Sequence, residues 1–335
     1  MTANAELNHI QELALGFMSA RAVHTAVELG VFPLLAQGPL TSDELCDQLG
    51  LHGRGARDFF NCLVALGLLE HADGRYVNTA ATSRYLGDPD APTYVGGMLE
   101  YMGSHWYWSW GRLGDALRTG RSQSYGGQVP YEAIHSDPGL SEEFQRAMSG
   151  GSVAASTALA ESFPWQDVAT VADIGCSDGS VLSRLLLAHP HLTGLGFDLP
   201  MVEQGFDKTS ARHGLADRMR FTPGDFRTAS FPAADAVVFG HLLIDWDLAT
   251  RRMLLAKAYD ALAEGGTILI YDMLVEQDQR ESAPGLLISL HMLVDQGGGV
   301  SYTASECFGW LADAGFRQCR VRPLSGADQL ITAVK

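Results

Sequence analysis

The sequence predicts an α/β protein: a doubly wound sheet preceded by a smaller, mostly helical region. Three observations carry that expectation. From about residue 165 onward, short apolar runs alternate with helical stretches, the pattern of strands covered by helices on both faces. Before that point the chain shows helical periodicity, marked helix starts and one short β-like feature. A chain of 335 residues, at roughly 150 per domain, has room for about two domains.

Composition narrows the function classes. Hydrophobic residues at 46% and charged residues at 19% are those of a globular chain, not a disordered one. The net charge of −16 argues against nucleic acid and anionic membrane as partners, because both are polyanions. No apolar run approaches the ~18 residues of a membrane span. The start, MTANAELNHIQELALGF, lacks the basic and uninterrupted apolar regions of a signal peptide. Cys46, Cys62, Cys176, Cys307 and Cys319 are scattered and form no CxxC. A reduced, cytoplasmic protein without structural zinc or a disulfide framework is expected.

The elements follow in order. Leu13, Phe17, Ala20 and His24 to Leu29 keep a helical period until Gly30 and Pro33 interrupt it. Thr41-Ser42-Asp43-Glu44 caps a second helix, and Gly50 stops it. Ala56 to Leu66 forms another, followed by an Asp73-Gly74 turn between short β-like stretches. Helix, turn, helix and hairpin give a winged-helix order. With only Arg54 and Arg57 as cations on the helix in the recognition position, just before the hairpin, that order reads as structural or dimerising rather than DNA-binding. Residues 93–155 are helical and hold an aromatic cluster of Tyr101, His105, Trp106, Tyr107, Trp108 and Trp110. Core packing is its plain reading, and a wall for a flat aromatic ligand is the sharper one. Then come strands in VATVADIG, LTGLGFDLP, MRFTPGDF, ADAVVFGH and TILIYDMLV, helices at Val181 to Ala188, Ala249 to Ala263 and Ala304 to Ala314, and terminal strands in CRVRPL and ITAVK. The β-α-β series implies a parallel sheet. The domain boundaries expected are 1–92, 93–160 and 161–335.

The first strand ends in VADIGCSDGSVL. Asp173, Gly175, Ser177 and Gly179 lie between strand and helix, where glycines let the backbone approach a ligand and the helix start offers free N–H groups. The spacing is not GxGxxG. Asp198 ends the next strand, 25 residues after Asp173, where a carboxylate can accept both hydroxyls of a ribose. Asp225 and Phe226 follow the third strand, suited to an amino group and the face of a purine.

The segments DIGCSDG, GFDLP, PGDF, IDWD, AEGG and DAGF, in this order, resemble class I S-adenosylmethionine-dependent methyltransferases. More narrowly they resemble the caffeic-acid/hydroxyindole O-methyltransferase-like family and its bacterial natural-product branch. The resemblance covers nearly the whole chain. It implies a Rossmann-like methyltransferase domain behind an N-terminal winged-helix dimerisation domain, in a homodimer whose N-terminal helices help close the partner's site. It implies S-adenosylmethionine as cofactor and S-adenosylhomocysteine as product. Gly175, Ser177 and Gly179 would line the methionine part, Asp198 with Leu199 the ribose, and Asp225 with Phe226 the adenine. Gly240 would offer its carbonyl and Trp246 would pack by the adenine. Ser177 stands where a glycine is usual. A small aromatic substrate, bound by Tyr101, His105, Trp106, Trp110, Phe144, Met148, His291 and Met292, is implied as well.

One departure bears on the reaction. The family's base is a histidine immediately before Asp-Trp, suited to general base catalysis because its pKa lies near 7. Here the segment is Gly240-His241-Leu242-Leu243-Ile244-Asp245-Trp246, so that position is Ile244. Of the two acids that flank the histidine, one position is Asp272 and the other is Ser301. The leading expectation is therefore C- or N-methylation of an electron-rich heterocycle such as an indole, driven by alignment. Asp272, His291, Glu28 and Tyr101 are candidates for later proton removal. The alternatives are O-methylation with His241 or His291 as base, with His241 sharing a helical face with Ile244; metal-assisted C-methylation of a 2-oxo acid through His241, Asp245 and His291; and cofactor binding without methyl transfer. No resident metal is expected.

Overall fold

The computed structural model describes residues 3–124, 134, 136–275, 283–296 and 299–335. It falls into two compact units, Met1–Tyr107 and Trp108–Lys335.

The first unit opens with helix α1 (Ala3–Glu28), followed by α2 (Val31–Leu35), α3 (Ser42–Leu49) and α4 (Gly53–Ala65). The signals read from sequence act locally here. Thr41 and Glu44 form a reciprocal capping box at the start of α3, and Gly50 ends it in the left-handed region. Strands β1 (Leu69–Ala72) and β2 (Arg75–Asn78) pair antiparallel across Asp73-Gly74, both with positive φ, and Leu40 bridges to Tyr76 beside them. Ala26, Val31, Phe32, Leu45, Phe60, Leu63, Leu69 and Tyr76 form the core. The first half of α1 has none of that cover: Leu13 is 69% and Phe17 53% exposed, in a row with Leu7 and Ile10.

The second unit is built on seven strands: β3 (Thr170–Ile174), β4 (Thr193–Asp198), β5 (Met219–Pro223), β6 (Ala234–Gly240), β7 (Leu262–Asp272), β8 (Arg317–Ser325) and β9 (Asp328–Val334). Their order is β5-β4-β3-β6-β7-β9-β8. The first five are parallel. The β-α-β series accounts for these five, while β9, one of the two terminal strands, runs antiparallel to both β7 and β8. Only Gly326 and Ala327 join β8 to β9, too short a link for a crossover, so the pair must turn back as a hairpin. Alternate residues feed two cores. Ile174, Phe197, Val237, Phe239, Ile268, Ile270 and Ile331 face one side, and Val171, Ala236, Val238, Leu269, Tyr271 and Leu330 the other. No helix of the described residues is long and apolar enough to cross a membrane.

Candidate active site

Parallel strands put Gly175, Asp198, Asp225, Gly240 and Asp272 beyond or at the same, C-terminal edge of the sheet, where ligands of such folds bind. The connection after β3 passes through left-handed conformations at Gly175 (φ 76°), Ser177 (φ 50°) and Gly179 (φ 75°) before the helix Ser180–Ala188. Gly179 has a second constraint, since a Cβ there would fall 2.2 Å from Met219 and 2.6 Å from Phe206. The Asp198 carboxylate is fixed by two backbone donors, Ser177 N–H to Oδ2 at 2.8 Å and Leu199 N–H to Oδ1 at 2.7 Å. Each oxygen keeps a lone pair for a further donor.

Asp173 is 3% exposed, and its Oδ2 has no partner among the described residues; the same holds for the buried Ser177 hydroxyl. Burial, then the charges of Asp198 and Asp178, push the Asp173 carboxyl up to about 7. Asp178 accepts from the Ser149 hydroxyl at 2.5 Å. Three carboxyl groups sharing a buried site, with an orphaned acceptor among them, call for a cation that carries N–H or O–H donors. S-adenosylmethionine, with its ammonium, sulfonium and ribose hydroxyls, fits that demand.

Phe226 and Trp246 meet edge to face, with centroids 5.0 Å apart. Arg227, which the sequence reading passed over, lies above both rings at 5.5 and 5.6 Å and 3.8 Å from Asp225. Tyr271 packs directly on Gly240, where a Cβ would strike its hydroxyl.

The proton-handling candidates fare differently. Ile244 lies in the 3-10 turn Leu243–Asp245, 4% exposed and packed in the same core as Met292 and Tyr302. Arg251, on the helix Leu248–Ala261, pins this turn: its guanidinium donates to the carbonyls of Leu243, Ile244 and Val300, and stacks over Tyr302 and Trp310. Asp272 is 1% exposed. Its Oδ2 accepts from the Tyr302 hydroxyl at 2.5 Å, and its Oδ1 has no partner among the described residues. Burial pushes its carboxyl up to about 7, against the opposing pull of the His241 charge and the Tyr302 bond. His241 does not continue a helix toward Ile244. It follows β6 directly with φ 50°, and its Nε2 bonds Asp328 Oδ1 at 2.8 Å. The helical face expected to join the two residues is therefore absent, because the backbone turns left-handed at His241. Ser301 bonds to the Gly285 carbonyl and brings no acid.

His291 ends the helix Ala283–His291 and accepts from Trp110 Nε1 at 3.2 Å, their rings nearly parallel. Burial lowers its pKa to about 4, so it is neutral at pH 7 and a weak base. Met292 begins a π-helical turn, Met292–Gln296, anchored by the Ser124 hydroxyl on Asp295. Phe144 and Met148 lie half-buried on the helix Pro138–Gly151. In the first unit, Tyr101 stacks on His105 at 4.3 Å and meets Trp106 edge-on, in and beside a second π-helical turn, Met102–Trp106. Such turns are rare and concentrate at functional sites. Glu28 is held in a fork by Arg21, at 2.8 and 2.9 Å. Among the described residues no group of three or more His, Cys, Asp or Glu side chains is placed to hold a metal ion.

Comparison with known proteins gives these features a family. Residues 11–88 match the O-methyltransferase dimerisation domain and residues 110–317 the O-methyltransferase domain. A tetracenomycin polyketide synthesis 8-O-methyl transferase of Streptomyces glaucescens is 40% identical over 96% of this chain and 94% of its own. An N,N-dimethyltransferase of Streptomyces rimosus is 35% identical, over 99% of this chain and 97% of its own. The crystal structure of human N-acetylserotonin methyltransferase in complex with S-adenosylmethionine superposes with a TM-score of 0.89 at 29% identity, covering 100% of this chain and 98% of that one. The chain belongs to the O-methyltransferase family, as an S-adenosylmethionine-dependent methyltransferase with an N-terminal dimerisation domain.

Proposed function

We propose that the enzyme methylates a phenolic oxygen of a fused aromatic, polyketide-type intermediate of antibiotic biosynthesis, with Asp272 as general base, as a cytoplasmic homodimer. The observation that carries this reading is the Asp272 carboxyl group: buried, held at one oxygen by Tyr302, without a partner at the other among the described residues, and pushed up to about 7. Such a group is half ionised at neutral pH and suited to accept a hydroxyl proton. Its presence removes the reason for expecting a substrate that needs no base. When bound, S-adenosylmethionine supplies the methyl group as a sulfonium electrophile and leaves as S-adenosylhomocysteine.

The chain's own residues do the rest. Asp198 receives the ribose hydroxyls, and Asp173 and Ser177 meet the polar methionine end. Phe226 and Trp246 flank the adenine. Ile244 and Met292 present an apolar wall that keeps water from the reacting oxygen. Trp110 and His291 present a flat surface. Asp272 Oδ1 takes the phenolic proton and later yields it to solvent. Methylation of an amine nitrogen is a second reading, favoured by the N,N-dimethyltransferase relative, matched across 99% of this chain.

The test is incubation with methyl-labelled S-adenosylmethionine, a chelator and a panel of hydroxylated fused aromatics, aromatic amines, indoles and 2-oxo acids, read by mass spectrometry. Label on a phenolic oxygen is expected. Label confined to ring carbon or nitrogen overturns the O-methylation reading. Cofactor binding with no label in any class favours a non-methylating role.

A further inference from the structure

His241 and Asp328 form a pair that neither the cofactor site nor the proposed base explains. Strands β6 and β7 run parallel with Gly240 opposite Tyr271, and β7 meets β9 with Asp272 opposite Gln329. One step past Gly240, the His241 N–H donates to the Tyr271 carbonyl at 2.9 Å, so the His241 backbone lies beside the end of β7. Its ring stands edge-on to Tyr271, centroids 5.0 Å apart, and reaches Asp328 at the start of β9. The pair therefore bridges over the end of β7, whose last residue is Asp272, from one neighbouring strand to the other.

We infer that His241, gripped by the buried Asp328 carboxylate, is a positioning residue that acts as a fixed counter-charge for Asp272. The inference rests on Asp272 being the base and adds two residues that govern it. Several charged or titratable groups face Asp272. They are His241 from β6, Asp245 from the turn Leu243–Asp245, Arg251 from the helix Leu248–Ala261, Tyr302, Cys307 from the helix Ala304–Asp313, and Asp328 from β9. Arg251 is committed to three carbonyls and two rings. His241 supplies the positive charge that draws the Asp272 carboxyl back down. Burial alone would discharge His241, but the Asp328 bond and the charges of Asp328, Asp272 and Asp245 outweigh it and raise its pKa above 6.5. Asp272 is thus anionic above about pH 7, and His241 is cationic until pH climbs through its own raised value.

The experiment is a pH titration of the full-length protein with ¹³C-carboxyl-labelled aspartate, followed by NMR, with the Asp272 signal assigned by its loss in Asp272→Asn. In His241→Gln the Asp272 midpoint is expected to move alkaline by about one pH unit, since a nearby opposite charge favours the ionised form; Asp328→Asn should move it less, because the lost Asp328 charge itself holds the Asp272 carboxyl up. His241→Lys keeps a cation and should hold it near the wild-type value. A midpoint unmoved in folded His241→Gln overturns the inference. Turnover supplies the second readout: the acid limb of kcat/KM shifts with the Asp272 midpoint while the alkaline plateau of kcat persists. Loss of kcat at every pH in both His241→Gln and His241→Lys would make His241 a base and sink the inference. An active Asp272→Asn would instead sink the base reading, and the NMR shift would still report on the counter-charge.

Discussion

Ile244, which the resemblance sets in the place of the family's histidine, is buried in a hydrophobic core, so under the proposed O-methylation proton removal comes from elsewhere. In that proposal Asp272 supplies it through its Oδ1, which has no partner among the described residues. Asp272→Asn is expected to lower kcat by ~10²–10⁴, the usual worth of a positioned base, and to abolish the acid limb near pH 7; steady-state rates across pH 5–9 check this. Stability moves in the opposite sense. The folded carboxyl titrates near 7 and its ordinary value is 3.8, so its contribution is intact below about pH 4 and lost as pH rises through about 7. Asp272→Asn should therefore melt at a higher temperature than wild type at pH 8 and at a similar one at pH 4. Asp272, His241 and His291 stood out in the sequence because their residue types and strand-end positions are local facts. Their pairings did not: Asp328 lies 87 residues from His241, and Trp110 lies 181 from His291. Only the folded chain pairs His241 with a carboxylate, which raises its pKa, and buries His291, which lowers its own.

The elements that sequence foretold are those specified within a few residues. The Thr41–Glu44 capping box, the Gly50 stop and the Asp73-Gly74 hairpin each need only a short-range hydrogen bond or a positive φ. The loop after β3 belongs to this class and is the most constrained. Gly179→Ala adds left-handed strain and a clash with Met219 and Phe206. A loss of about 1–3 kcal/mol in unfolding free energy is expected, with weakened cofactor affinity, measured by denaturant titration and calorimetry. Non-local placement escaped the pattern. The apolar run of β9 reads the same whether it lies parallel or antiparallel to β7; the two-residue link to β8 decides it. The π-helical turns at Met102–Trp106 and Met292–Gln296 were equally hidden, since one extra residue per turn leaves no mark on so short a stretch. The role of Arg251 was hidden too, since two of its three carbonyl contacts are seven and eight residues away and the third 49.

At the scale of the whole molecule, the first half of α1 presents Leu7, Ile10, Leu13 and Phe17 to solvent within an O-methyltransferase dimerisation domain. A second copy covering that row would account for it. Phe17→Glu combined with Leu13→Glu should convert a dimer to a monomer in light scattering, and an unchanged mass would remove α1 from the interface. The clustered carboxyl groups around Asp173 have a further, thermodynamic effect. Near neutrality Asp173 holds a hydrogen ion part of the time, and a positively charged ligand arriving beside it expels that ion into the medium. The heat of S-adenosylmethionine binding near pH 7 should then vary with the ionisation enthalpy of the buffer, in proportion to the fraction of an ion released. Affinity should climb between pH 6 and 8. S-adenosylhomocysteine, which lacks the sulfonium charge, should release less. Product would then be favoured relative to substrate as the surroundings acidify, so a drop in pH would slow the enzyme by retaining its own by-product.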